Sequence, residues 1–179
     1  MPLDLFRIAM IGPESTGKTS LCLQLAEYFN TVCIPEFARE YIASLNRPYT
    51  KSDVLYCAEM QLKSEDVLSV HAKKYLFVDT ELINIKIWLL DKYGDCPAWI
   101  ENKIEEKKYD LYLLTSPDVP FVVDPVRENP DRRDYFFDIY LHELESHGLR
   151  YEIITGFGQK RFDSSLKVIL NLDIEPSKI

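Results

Sequence analysis

Near the start of the chain, Gly12-Pro13-Glu14-Ser15-Thr16-Gly17-Lys18-Thr19 places two glycines, a lysine and a hydroxyl residue at the spacing G-x-x-x-x-G-K-[ST]. In such a run successive backbone N–H groups turn inward and cradle phosphate oxygens, and the helix that follows adds its positive dipole end. Glycine is required where the chain takes positive φ or comes close to the ligand. On this reading Gly12, Glu14, Ser15, Thr16, Gly17 and Ser20 frame a polyphosphate. Lys18 neutralises its β and γ groups, and the Thr19 hydroxyl coordinates magnesium. The expected ligands are a nucleoside triphosphate, ATP or GTP, and Mg²⁺.

Phosphoryl chemistry needs more than a cradle. An acidic residue at the end of a neighbouring strand holds the metal, and Tyr75-Leu76-Phe77-Val78-Asp79 supplies Asp79, which caps the next helix on the competing reading. In Pro35-Glu36-Phe37-Ala38-Arg39-Glu40, Glu36 is placed to accept the proton of an attacking hydroxyl. Favourable interaction with a helix dipole explains the same residue equally well. Arg127, Arg132 and Arg133 lie within seven residues of an acidic protein and read either as a lid over the triphosphate or as a solvated loop paired to Glu128, Asp131 and Asp134. Arg161, in Gly156-Phe157-Gly158-Gln159-Lys160-Arg161, is expected to stack on the base or touch phosphate.

These residues need a scaffold that brings strand ends together. Apolar runs at Phe6–Ile11, Val32–Ile34, Tyr75–Val78, Tyr109–Leu114 and Tyr151–Ile154 read as five strands. Between them run helical patterns. These are the stretch after the loop with Leu21, Leu25, Tyr28 and Phe29, then 37–45, a longer one after the capping pattern Thr50-Lys51-Ser52-Asp53, 83–93, 99–107, one ending at Gly148, and 162–172. The alternation predicts a P-loop NTPase fold: an α/β domain over 1–179 with a five-stranded parallel sheet, helices on both faces and an arginine-bearing lid. Its ligand is expected beyond the carboxyl ends of the strands.

Composition narrows the partners. With 21 Lys and Arg against 29 Asp and Glu, the net charge of −8 repels nucleic acid and anionic membranes, so a small anionic ligand fits better. Cys22, Cys33, Cys57 and Cys96 are scattered without a C-x-x-C pair and read as free thiols. His71, His142 and His147 read as surface residues. The apolar stretch from Leu3 to Ile11 is too short to span a membrane. A soluble, cytoplasmic protein is expected.

Taken together, four motifs resemble the ribosylnicotinamide kinase domain of the NadR family, which is grouped with AAA-type domains. They are Gly12 to Thr19, Pro35-Glu36-Phe37-Ala38-Arg39-Glu40, Phe77-Val78-Asp79-Thr80 and Asp124-Pro125-Val126-Arg127-Glu128, in order along nearly the whole chain. The resemblance implies transfer of the γ-phosphate of ATP to the 5′-hydroxyl of nicotinamide riboside, a step of NAD metabolism. It gives Lys18 and Thr19 the phosphate and magnesium roles, places Asp79 at the metal or the ribose, and assigns Arg127 to the lid. Glu36 is the base by analogy with other nucleoside kinases. Asp124-Pro125 departs from the acidic-Gly turn expected in the lid, and 179 residues leave no room for the adenylyltransferase and DNA-binding regions that NadR proteins carry.

The principal reading is therefore a small-molecule kinase acting on a nucleoside. The alternative is a nucleotide-dependent regulatory ATPase or binding module with no phosphoacceptor. A remodelling ATPase would need a helical subdomain for which the length is insufficient. A closed second-substrate pocket between Glu36, Asp79 and the lid separates the first two, because a switch needs none.

Overall fold

The computed structural model describes residues 5–106, 109–123 and 129–172. Five strands form one sheet: β1 Phe6–Ile11, β2 Val32–Ile34, β3 Tyr75–Asp79, β4 Leu111–Thr115 and β5 Tyr151–Ile154. All pairings are parallel, in the order β2-β3-β1-β4-β5. Parallel strands need crossovers, and helices supply them. These are α1 Lys18–Tyr28, α2 Phe37–Ser44, α3 Lys51–Leu68, α4 Leu82–Tyr93, α5 Ala98–Glu106, α6 Arg133–Ser146 and α7 Gln159–Leu172.

Because strand side chains alternate, the central strands feed two cores. Ala9, Ile11, Leu76, Val78, Tyr112 and Leu114 pack under α2 to α6, whereas Ile8, Met10, Tyr75, Phe77, Leu111 and Leu113 pack against α1 and α7. The uninterrupted apolar runs read from the sequence are therefore strands covered on both faces.

The boundaries differ from the sequence reading where side chains redirect the chain. β4 begins at Leu111 rather than Tyr109, since the Tyr109 hydroxyl donates to Glu65 at 2.7 Å and the Asp110 carboxylate accepts from the Arg7 N–H at 2.7 Å. α7 starts a turn earlier than Phe162, because the Gly158 carbonyl already accepts from the Arg161 and Phe162 N–H groups. His147 is half-buried rather than fully exposed. Its ring packs against Glu105, Glu143 and Glu101, in a cluster where Lys86 donates to Glu143 at 2.6 Å and to Glu101 at 3.0 Å. The four cysteines are free thiols. Among the described residues no helix is long and apolar enough to cross a membrane.

Register decides where the sheet ends. Met10 is level with Asp79 and Ile11 with Leu114, so the chain leaves β1 between the ends of β3 and β4. Gly12 turns there with φ 132°, and a Cβ at that position would meet the Thr115 carbonyl and hydroxyl oxygens, each at 2.8 Å. Gly12→Ala is expected to destabilise the fold by roughly 2–4 kcal/mol through strain and overpacking together, read as a lower midpoint in urea unfolding.

Candidate active site

The phosphate loop is shaped by three residues with positive φ, Gly12, Ser15 and Gly17, the last of which immediately precedes α1. The Thr16 hydroxyl reaches the Pro13 carbonyl at 2.9 Å and the Thr115 hydroxyl at 2.6 Å, and Thr115 donates in turn to the Ile11 carbonyl at 3.1 Å. The loop is thus tied back to the strand it leaves. Lys18 Nζ lies across its own loop, donating to the Gly12 and Pro13 carbonyls at 2.8 and 2.7 Å. Burial lowers the Lys18 pKa from its ordinary value, against the field of Glu36, Asp79 and Glu14. A neighbouring polyanion would favour its charged form.

Asp79, the last residue of β3, accepts from the Thr19 hydroxyl at 2.5 Å through Oδ2. Its Oδ1 is buried with no hydrogen-bond partner among the described residues, and burial raises its pKa. The helix-cap alternative falls away, because the N-cap of α4 is Glu81, whose carboxylate accepts from the Ile83 N–H at 2.9 Å. A hydroxyl and a carboxylate with a spare oxygen, side by side, fit one edge of a magnesium shell. Among the described residues no three His, Cys, Asp or Glu side chains are arranged to hold a metal alone. Phosphate oxygens and water would have to supply the remaining positions.

Glu36 is the N-cap of α2, yet its side chain makes no cap hydrogen bond. Its carboxylate instead lies 3.6 Å from Arg39, and burial raises its pKa. The turn that carries it is clamped by Gln61 of α3, which accepts from the Phe37 N–H at 2.9 Å and donates to the Pro35 carbonyl at 3.2 Å. Below that clamp, buried Asp53 accepts from Arg47 through both oxygens at 2.8 Å, from Tyr41 at 2.9 Å and from Thr50 at 2.7 Å, which ties α2 to the start of α3. Arg47 foremost holds the Asp53 carboxyl well below the usual carboxylate range.

From Glu14 to Ser20 the loop lines one end of a cavity of about 430 Å³ that continues past Glu36 and Arg39 into an aromatic chamber. One face of α4 builds much of that chamber, since Asn84, Ile87, Trp88 and Asp91 recur at helical spacing. Opposite them stand Tyr49, Phe136 and Tyr140. Trp88 donates to the Tyr49 hydroxyl at 3.1 Å, and Asn84 donates to the Tyr140 hydroxyl at 2.8 Å. That second donor bond leaves the buried Asn84 Oδ1 without a hydrogen-bond partner among the described residues. None of these residues was read from the sequence as part of the site. The available signal was an asparagine and an aspartate seven residues apart on the same stripe as a tryptophan, in a mostly apolar helix.

The arginines separate. Arg127 and the Asp124-Pro125 turn lie outside the described residues. Arg132 pairs with Asp91 of α4 at 2.5 Å and packs over the Tyr135 and Phe136 rings, rather than with Asp131 or Asp134. Arg133 donates to the Val119 carbonyl at 2.8 Å and the Ser15 carbonyl at 3.4 Å. Arg161 corrects the sequence reading most. It does not face the cavity but is buried behind the phosphate loop, bonded to Thr16, Ser116, Asp118 and Gly156.

The model of a family described as AAA domain matches residues 7–161. The trifunctional NAD biosynthesis/regulator protein NadR of Escherichia coli (strain K12) is 26% identical over 159 residues, and that of Salmonella typhimurium 27% identical over 132. These stretches cover 84% and 70% of this chain but only 38% and 32% of the relatives. Among solved structures, a NadR protein in complex with NR superimposes with a TM-score of 0.82 at 21% identity, covering 96% of this chain and 52% of that one. Thymidylate kinase from Ehrlichia chaffeensis superimposes with a TM-score of 0.63 at 16% identity, covering 92% and 98%. At these identities the structural matches establish a shared fold.

Glu81, which anchors the cavity-lining helix, has its pKa pushed up to about 8, chiefly by burial. An unfolded glutamate ionises near pH 4.3, so the folded chain retains a proton that the unfolded chain releases, and stability falls as pH rises from about 4.3 to about 8. Glu81→Gln keeps an oxygen for the Ile83 N–H and removes the ionisation. The variant is expected to lose less stability than wild type between pH 5 and 8.5 in denaturant titrations. Parallel profiles for the two proteins would contradict this account.

Proposed function

This chain belongs to the AAA domain family matched over residues 7–161, and on that premise we propose that it is a phosphotransferase moving the γ-phosphate of ATP to a nucleoside. Nicotinamide riboside is the acceptor we favour. One observation carries the reading: the cavity runs without a break from the phosphate loop, past the Glu36 carboxylate, into a chamber walled by Tyr49, Trp88 and Tyr140. A nucleotide switch needs the first part and has no use for the last. The chamber's aromatic walls suit the flat ring of a base, and the polar edge of Asn84 suits its substituents. Support for nicotinamide riboside comes from the NadR relatives, one of which is solved in complex with NR.

In this scheme the backbone of residues 12–18 and Lys18 hold the β and γ phosphates. Magnesium, when bound, would draw charge from the transferring group. Thr19 and Asp79 would hold it. The acceptor hydroxyl attacks the γ-phosphorus in line, the bond to the β–γ bridging oxygen breaks, and its electron pair leaves with ADP. Glu36 takes the hydroxyl proton. Its raised pKa makes it a better proton acceptor than an exposed glutamate. Arg127 is assigned to charge stabilisation from the lid. Arg132, the N-cap of α6, would restrain that helix against α4 through Asp91.

The test is a phosphoryl-transfer assay with Mg²⁺ and ATP against a panel of nucleosides headed by nicotinamide riboside, following ADP and the phosphorylated product. Product from nicotinamide riboside is the expected outcome. ADP release indifferent to every nucleoside would replace this reading with the regulatory ATPase. Glu36→Gln is expected to lower kcat by about 10²–10⁴-fold with little change in ATP affinity. Lys18→Ala should remove most ATP affinity, as followed by calorimetry.

A further inference from the structure

Arg161 is heavily bonded beside the site, and it does not line the cavity. Its Nε donates to the Gly156 carbonyl at 2.8 Å, one terminal nitrogen to the Thr16 carbonyl, and the other to the Ser116 carbonyl at 3.0 Å and to Asp118. The second oxygen of Asp118 accepts from the Gly156 N–H at 2.7 Å. One guanidinium and one carboxylate therefore join the phosphate loop, the end of β4 and the turn after β5 into a closed ring. Arg161 is 5% exposed, so each of those oxygens would lose its partner if the side chain were shortened.

The bond to Thr16 has a directional consequence. Among the described residues no peptide is cis, and in a trans peptide the C=O and the following N–H point in opposite directions. Thr16 and Gly17 line the cavity while Arg161 stands behind it. Drawing the Thr16 carbonyl back toward Arg161 therefore turns the Gly17 N–H forward, into the space where phosphate oxygens are to sit. Arg133 holds the preceding carbonyl, that of Ser15, in a weaker version of the same contact at 3.4 Å.

We propose that Arg161 is a positioning residue for the donor phosphates: it fixes the Thr16–Gly17 peptide plane from behind, and through Asp118 it locks the Gly156 turn in the same setting. The proposal rests on reading the cavity as an ATP site. It assigns Arg161 no contact with the nucleotide, in contrast to the role proposed for Arg127, and requires no acceptor.

The experiment is a titration of a fluorescent ATP analogue with Mg²⁺ into wild-type, Arg161→Lys and Arg161→Ala chains, with far-UV circular dichroism confirming the fold of each. Lysine keeps the charge but cannot span three carbonyls and a carboxylate with one ammonium. A roughly tenfold rise in Kd is expected for Arg161→Lys, the equivalent of one or two lost hydrogen bonds. A larger rise is expected for Arg161→Ala, partly reversed by millimolar methylguanidinium, a rescue that general loosening of the core would not show. Wild-type affinity in folded Arg161→Lys, or a loss in Arg161→Ala that methylguanidinium leaves unchanged, overturns the proposal. Should neither variant fold, Asp118→Ala answers in the same assay: a raised Kd supports the ring, an unchanged one refutes it. Failure of the wild-type chain to bind the analogue would instead remove the ATP-site reading, and this proposal with it.

Discussion

The constraint on which the rest depends is the level at which three parallel strands stop. Met10 is paired with Asp79 and Ile11 with Leu114, so the turn out of β1 is enclosed by the end of β3 on one side and Thr115 on the other. There is no room for a side chain at the first residue of that turn, and Gly12 lies against the Thr115 oxygens. A shift of one residue in either register would carry Asp79 away from Thr19 and turn the alternating core residues to the wrong face. The phosphate loop is thus a consequence of sheet pairing as much as of its own glycines.

Within that enclosure the electrostatics are arranged around charges taken out of water. Lys18 is pulled toward the neutral form by burial, and Glu36 and Asp79 are pushed toward theirs by the same cause. Their mutual fields partly offset this, with Arg39 contributing. A polyphosphate with its metal would add strong charges of both signs at the centre of the group. Binding is accordingly coupled to protonation, because the three side chains respond to the same field.

The elements around the cavity divide the work. α3 is a rigid backing: Gln61 grips the turn that carries Glu36, and Asp53 binds α2 to the start of α3. α4 contributes the chamber face and is capped by Glu81, whose pKa burial pushes up to about 8. On its far side Lys86 joins α4 to α5 and α6 through Glu101 and Glu143. The chamber is consequently built on helices whose positions are each fixed by at least one buried polar contact, which suits a site that must hold a small rigid ligand.

The sequence by itself determined the fold and the phosphate end of the site. Strand-length apolar runs alternating with helical periods admit little besides a covered parallel sheet, and a glycine-lysine loop between the first strand and helix is local chemistry, readable because its eight residues are consecutive. Asp79 was legible for the same reason, as the acidic end of an apolar run. Only the tertiary structure decided the chamber, because Tyr49, Asn84, Trp88 and Tyr140 meet across three chain segments and none carries a signature alone. It also decided the arginines. A guanidinium near a phosphate loop looks the same in sequence whether it faces the ligand or the loop's back. Arg161 faces the back because four oxygens are in reach there, a circumstance created by the packing of α7 behind β1 and β4.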